Sequence, residues 1–386
     1  MDYSFSIPTR IEYMEGNCTR VGEFLKPYVK QKALIVTDFG VKQAGILEQV
    51  EKALQNYEIE YEIFDKVEAN PSTQILDEGI ECLQVNQCDV VLAVGGGSSI
   101  DTAKGIAAMA TNPGNILDYE GINKLQNPAL PILAIPTTSG TGAEVTASTV
   151  FTNKDTLFKT VIISKYLFPR VAILDPLLTV NLPQSITAAT GMDALTHAIE
   201  SYTSKNANDV SKTLAIHAIK LIGESLLPAY YVGSDVKSRG KMLTASMMAG
   251  IAFSQSRLGN VHAISHTFGG IFNIPHGIAN ATLLPYVMKY NLPACQNDMK
   301  DIAIALGVNT SSLTLAETAE QAIAEVVNLN IAIGIPKTIK ELGVNLELLP
   351  RMIDDSMRSP NTRSNPRLTT ANDIKQIIEN AYHGLN

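Results

Sequence analysis

The alternation in the first half of this chain limits its fold more than any other feature. Short apolar runs, Ala33-Leu34-Ile35-Val36, Asp89-Val90-Val91-Leu92-Ala93-Val94, Ile132-Leu133-Ala134-Ile135 and Val171-Ala172-Ile173-Leu174, are separated by stretches with helical periodicity. Another run, Ile59–Phe64, also follows a helical stretch. Runs that are apolar at every position belong to strands buried on both faces, so they predict a parallel sheet covered by helices on each side. Tyr3–Ile7 and Ile11–Met14, broken by Pro8, read as a small edge hairpin or arm. After Asn181-Leu182-Pro183 the texture changes to Ala-rich helical faces, with Leu195, Ile199 and Tyr202 at i, i+4, i+7 on one stripe. Pro183 suits a helix start. The sequence therefore predicts an α/β domain over 1–182 and an all-α domain over 183–386, consistent with the two or three domains expected of 386 residues.

Charge and cysteine content narrow the function classes. There are 30 Lys+Arg against 38 Asp+Glu, a net charge of −8, and phosphate backbones need clustered basic residues, so nucleic acid is excluded as a partner. The N-terminus has no basic start or apolar run of the signal-peptide kind. No stretch approaches the ~18 apolar residues of a membrane span. Cys18, Cys82, Cys88 and Cys295 are scattered, without a C-x-x-C pair, so neither a disulfide framework nor a thiolate zinc site is implied. Sequons at Asn17, Asn280 and Asn309 carry little weight without a secretory route. A reduced, cytoplasmic protein is expected.

Two loops follow apolar strands. Gly95-Gly96-Gly97-Ser98-Ser99-Ile100-Asp101 leads into a helical run over Thr102–Ala110. Glycines let a bulky group approach the backbone, Ser98 can cap the helix with Asp101 three residues on, and a helix N-terminus favours a pyrophosphate. Alone, the loop fits an ordinary tight turn equally well. Pro136-Thr137-Thr138-Ser139-Gly140-Thr141-Gly142 gathers hydroxyls and glycines at a second strand end, and ligands of parallel sheets bind at the carboxyl ends of strands. Asp38 closes the first strand at that edge. Its carboxylate could bind a ribose diol and repel a 2′-phosphate, favouring NAD over NADP, or it could be a plain turn residue.

Five of the six histidines fall between residues 197 and 276. Asp193 and His197 stand at i, i+4 on one helical stripe, and His262 and His266 repeat the spacing. Pro275-His276-Gly277 places another histidine at the start of the next helix. A carboxylate with three imidazoles suits Fe(II) or Zn(II), and the carboxylates are too few for calcium. If His262 is a ligand, His266 lies one turn further on, placed to relay protons. Phe253 precedes this cluster and could wall a small apolar pocket or simply pack in the core. His217 and His383 have no companion ligands and read as structural or surface residues.

At these residues the sequence resembles the iron-containing (group III) alcohol dehydrogenases, particularly the lactaldehyde reductase and 1,3-propanediol dehydrogenase branch. The resemblance runs from the Asp38 turn through Asn70-Pro71-Ser72, Gly95–Ser98, Pro136–Thr141 and Gly191–His197. It continues through His262, His266 and His276 to Asn365-Pro366-Arg367. It implies that Asp193, His197, His262 and His276 hold one divalent metal, Fe(II) or alternatively Zn(II). It also implies that Asp38, Asn70, Gly95, Gly96, Gly97, Ser98, Asp101, Thr137, Thr138 and Thr141 bind NAD(H). The implied fold is a Rossmann-like α/β dinucleotide-binding domain plus an all-α C-terminal domain, an architecture shared with dehydroquinate synthase. A homodimer with the N-terminal arm at its interface follows from the same resemblance. Asp354–Pro360 departs from the usual pattern, which bears on substrate rather than chemistry.

A dinucleotide site in the α/β part and a divalent metal in the helical part are what reversible alcohol oxidation needs. The expected reaction is hydride transfer between NAD(H) and a short-chain primary alcohol, diol or aldehyde, with His266 or a ribose hydroxyl moving the proton and Phe253 in the substrate pocket. A dehydroquinate synthase-like lyase needs several cations near the metal, and only Arg257 lies close to the histidines in sequence. A glycerol dehydrogenase-like enzyme resembles the metal motif less. A non-catalytic nucleotide- and metal-binding protein gains nothing from His266.

Overall fold

The computed structural model describes residues 3–153 and 158–384. The chain divides into two units, Ser6–Asn181 and a second that takes in the residues up to Phe5 and those from Leu182 onward. The first contains β1 (Arg10–Tyr13), β2 (Ala33–Asp38), β3 (Tyr61–Val67), β4 (Val90–Gly95), β5 (Gly121–Ile122), β6 (Ile132–Pro136), β7 (Ser148–Asn153), β8 (Phe158–Ile163) and β9 (Val171–Leu174). Its helices are α1 (Val21–Leu25), α2 (Phe39–Gln43), α3 (Ile46–Gln55), α4 (Thr73–Val85) and α5 (Gly97–Met109). Six strands pair in the order β1-β9-β6-β4-β2-β3, every pairing parallel.

The strands are apolar throughout because the sheet serves two cores. Leu34, Val36, Val91, Ala93, Ile132 and Ala134 join one buried cluster. The alternate residues Ala33, Ile35, Val90, Leu92, Val94, Leu133 and Ile135 join the other. That is the two-residue period of a strand with protein on both sides. Ala93, Ala134 and Ala172 lie side by side on β4, β6 and β9, and Ala93 and Ala134 share their cluster with Ile100, Ala103 and Ala107 of α5.

Three sequence expectations change. The N-terminal segment is no hairpin: Arg10–Tyr13 pairs in parallel with Val171–Leu174, its entry pinned where Thr9 Oγ1 donates to Pro169 O at 2.7 Å. The helix expected over Thr102–Ala110 starts at Gly97, within the glycine loop itself. A second sheet, β5-β8-β7, was not expected. β5 has only two residues and β7, Ser148–Asn153, is half polar, so neither stands out as an apolar run.

Among its described residues the second unit has helices and no strand. The long helices are α6 (Gln184–Thr203), α7 (Asp209–Tyr231), α8 (Val236–Ser256), α9 (Asn260–Phe272) and α10 (His276–Asn291). α11 (Gln296–Ala305), α12 (Leu315–Ala332), α13 (Leu349–Arg358), α14 (Asn361–Ser364) and α15 (Ala371–His383) complete it. Pro183 is the N-cap of α6, as its fixed φ suggests. One apolar cluster, drawn from α6 to α13 and from α15 and including Met192, Leu195, Ile199, Val261, Ile264 and Phe268, packs these helices together. Among the described residues no helix is long and apolar enough to cross a membrane.

Candidate functional site

In the α/β unit the two loops meet. β4 ends at Gly95, whose φ of +152° is unfavourable for a side chain, and a Cβ there would lie 2.4 Å from Ser99 Oγ. Gly96 is the N-cap of α5 and supplies no side-chain cap, so Ser98 does not play the capping role expected of it. The first-turn N–H groups of α5 are thus left for a ligand, with the helix dipole favouring an anion. The second loop lies against the first. Thr137 N donates to Gly95 O at 3.0 Å, and a Cβ on Gly97 would lie 2.5 Å from Thr141 Cγ2. Thr138 sits against Gly96. Donor-rich backbone and hydroxyls without bulk fit a pyrophosphate.

The remaining residues of this set are placed around that cradle. Asp38 caps α2 through Val41 N (3.1 Å) and receives Ser99 Oγ at 2.9 Å, which ties the first strand end to the glycine-loop helix. Asn70 takes a left-handed φ of 54° and accepts from Lys159 Nζ at 2.8 Å. Asp101 is half-buried, and its carboxylate accepts from Val150 N of β7 at 3.2 Å. Burial raises its pKa to about 6. Lys104, one turn on, was not expected to matter. Its buried ammonium donates to Thr146 O and Ser148 O, both at 2.8 Å, and to Thr146 Oγ1 at 3.0 Å, fixing the chain that leaves the threonine loop. Glu144 lies near this ammonium; its Oε1 meets no donor among the described residues, and burial pushes its pKa up to about 7. A lysine inside an Ala-rich helix gives no sequence sign of being buried.

In the helical unit three helices converge on one point. Asp193 and His197 face inward from α6, His262 from the first turn of α9, and His276 opens α10. One ligand atom from each lies within 4.8 Å of the other three, and all but His276 are buried. Asp193 oxygens stand 3.9 Å from His197 Nδ1 and 3.8 Å from His276 Nε2. The rings of His197 and His262 stack at 4.6 Å, and Phe253 stacks on the other ligand ring, His197, also at 4.6 Å. His266 is outside the ligand set, its ring 6.0 Å from that of His262 and 5.2 Å from that of His276. His217 and His383 are exposed.

Two buried residues of this centre escaped the sequence reading. Glu200, on α6 one turn past His197, receives His262 Nδ1 at 2.6 Å, Gly259 N at 2.9 Å and Val261 N at 2.6 Å. Burial pushes its pKa up to about 7, opposed by those backbone donors. Accepting at Nδ1, it leaves the Nε2 lone pair of His262 pointing into the cluster, as metal-binding histidines require. Its spacing of seven from Asp193 was the available signal. Asn280, four residues after His276, directs Nδ2 to Asp193 Oδ1 (2.7 Å), His262 Nε2 (3.1 Å) and His276 Nε2 (3.1 Å). Its Oδ1 meets no donor among the described residues. Two amide hydrogens cannot serve three acceptors. Such a surplus of lone pairs, from one carboxylate and three imidazoles, fits a divalent cation. Asn280 is fully buried, so its sequon is inaccessible.

Comparison with known proteins bears on both regions. Residues 8–176 match the family described as iron-containing alcohol dehydrogenase, and residues 187–382 match the C-terminal region of the same family. The chain is 43% identical to the 1,3-propanediol dehydrogenase of Klebsiella pneumoniae, over 94% of each chain. It is 41% identical to the NAD-dependent methanol dehydrogenase of Bacillus methanolicus, over 98% of this chain and 99% of that one. A crystal structure of 1,3-propanediol oxidoreductase superposes with a TM-score of 0.96 at 41% identity, covering 99% of this chain and 100% of the other. These similarities span both units, not one borrowed domain.

Proposed function

The chain belongs to the iron-containing alcohol dehydrogenase family, and we propose that Asp193, His197, His262 and His276 hold its divalent metal while His266 carries the proton. The protein is an NAD-dependent alcohol dehydrogenase that interconverts short primary alcohols or diols and their aldehydes by hydride transfer. The observation that carries the residue assignment is the convergence of four ligand atoms within 4.8 Å.

When bound, a divalent metal supplies a Lewis acid for a substrate oxygen, and NAD supplies the hydride acceptor. The chain's own residues do the rest. Glu200 fixes the tautomer of His262, and the Asp193 carboxylate offsets the cation's charge. Phe253 covers the free face of His197 and walls the substrate pocket. His266, half-buried and one turn beyond His262, accepts the alcohol's proton and passes it to water. Gly95, Gly96, Gly97 and Ser98 take the pyrophosphate at the start of α5, with Thr137, Thr138, Thr141 and Asn70 around the dinucleotide. Asp38 receives the ribose hydroxyls and repels a 2′-phosphate. Asp101 braces α5 from beneath through Val150.

Fe(II) is the metal we assign, on the family, with Zn(II) the alternative of the same ligand chemistry. The substrates we favour are short aliphatic aldehydes such as propanal, butanal, lactaldehyde or 3-hydroxypropanal. A cytoplasmic homodimer completes the reading. It is supported by β1, an edge strand of the six-stranded sheet with Tyr13 and the following Met14 exposed. Sedimentation at a single mass of one chain would rule the dimer out.

NADH oxidation by anaerobically Fe(II)-loaded protein against these aldehydes, beside a chelated control, tests the function. Metal-dependent turnover is expected; silence across the panel with NAD still bound overturns the reading. His266→Ala should keep its metal and lose about 100-fold or more in turnover. Loss of the metal in that variant would mean that His266 is itself a ligand.

A further inference from the structure

The helix that carries Phe253 ends in a backbone shape that its last residue does not suit. Arg257, which closes α8, has φ 66° and ψ 179°. That region is open to glycine and almost closed to residues with a Cβ. Its N–H donates to Phe253 O at 2.8 Å, so the strained residue is the one that stops the helix. Glycine would make the same turn without strain. The side chain, then, needs a reason to be there.

The guanidinium is half-buried, and no carboxylate answers it. It makes no hydrogen bond, ion pair or ring contact among the described residues, and burial alone holds its pKa below the ordinary value. Arg239 shows the contrast: also buried, it donates to Gly233 O at 2.9 Å and to Thr187 Oγ1 at 2.7 Å. The Arg257 guanidinium differs: its nitrogens are not sealed from water, so its five N–H donors are open to a ligand.

Its position ties it to the metal-ligand cluster. Four residues earlier, Phe253 stacks on His197. Two residues later, Gly259 N donates to the same Glu200 oxygen that receives His262 Nδ1. The strained turn is the link between these two contacts.

We propose that Arg257 determines substrate specificity, its guanidinium receiving a carboxylate carried at the far end of a short aldehyde or alcohol. The inference rests on the alcohol dehydrogenase reading and narrows its substrate class. Guanidinium and carboxylate match through two parallel N–H···O bonds. Such a pair favours substrates that carry the carboxylate, because only these replace water at the guanidinium with two charge-assisted bonds. Arginine occupies glycine's place because its head group binds what glycine cannot.

Calorimetry on the Zn(II)-loaded protein with NAD present, comparing a four-carbon ω-hydroxy acid with the four-carbon diol, tests this. The acid should bind about 10- to 100-fold more tightly. Arg257→Gly should erase the preference, Arg257→Lys should keep part of it, and NAD affinity should be equal in all three proteins. Because glycine relieves the turn, Arg257→Gly should also melt a few degrees higher, which shows that it folds. Equal wild-type affinity for acid and diol overturns the proposal, as does a preference that survives in Arg257→Gly. Weakened NAD binding in that variant would assign the guanidinium to the cofactor and overturn it too. Turnover of the diol is scored separately: preference without turnover sinks the dehydrogenase reading alone, and turnover without preference sinks only the role of Arg257.

Discussion

At the end of β4 the chain offers a ligand its backbone, while in the helical unit it offers side chains. The glycine loop works by what is missing, since Cβ atoms on Gly95 or Gly97 would collide with Ser99 or Thr141. The metal centre works by what is present, four ligand side chains from three helices with Glu200 and Asn280 behind them. A backbone site fails by addition of atoms and a side-chain site by removal, so each can be broken without the other.

The largest effect should come from His262→Ala, which removes a ligand and leaves Glu200 buried without its imidazole partner. Metal analysis should find no bound ion and turnover should vanish, with NAD affinity unchanged. Retained activity in a metal-free variant would refute the ligand set. Next in size, Glu200→Gln should weaken metal binding about 10- to 100-fold, because an amide cannot accept from all three donors now facing the carboxylate. Competition with a chelator measures it; unchanged affinity would reduce Glu200 to a packing residue.

The converse break is Gly97→Ala, with a Cβ 2.5 Å from Thr141 Cγ2. NAD should bind about tenfold more weakly at full metal content. A parallel loss of metal would show that the two regions are not independent. The smallest effect concerns Glu144, whose pKa rises from 4.5 to about 7 on burial. The unfolded chain releases this proton near 4.5 and the folded one near 7, so the group's contribution to stability falls as pH rises between those values. Glu144→Gln should remove that decline, at most about 3 kcal/mol. Denaturant midpoints of both proteins at pH 5 and pH 8 that move in parallel would contradict it.

The same contrast explains what the sequence revealed. The central strands of the six-stranded sheet were legible because they serve two cores and so show no polar positions. Asp193, His197, His262 and His276 were legible because their residue types are rare and their spacings repeat a helical turn. Glu200, Asn280 and Lys104 were not. A polar residue on a helix is ordinarily at the surface, and only the folded chain shows these three pointing inward. The β5-β8-β7 sheet was hidden for a related reason, since its short, half-polar strands depend on partners far along the chain. The strain at Arg257 is equally silent in sequence, because any residue type is compatible with a helix end until its φ is known.

The side-by-side alanines of β4, β6 and β9 have a consequence for how the chain finds its fold. In a strand buried on both faces, hydrophobicity cannot specify alignment, because a slip by one residue still buries apolar groups on either side. Volume can. Sliding β4 by one position would bring Leu92 or Val94 to the place of Ala93, beneath the small residues Ala103 and Ala107 of α5, where the helix leaves no room. The pairing of Gly95 opposite Pro136 would be lost in the same slip. Three methyl groups thus act as an alignment gauge for the sheet, and the cofactor loops inherit their positions from it.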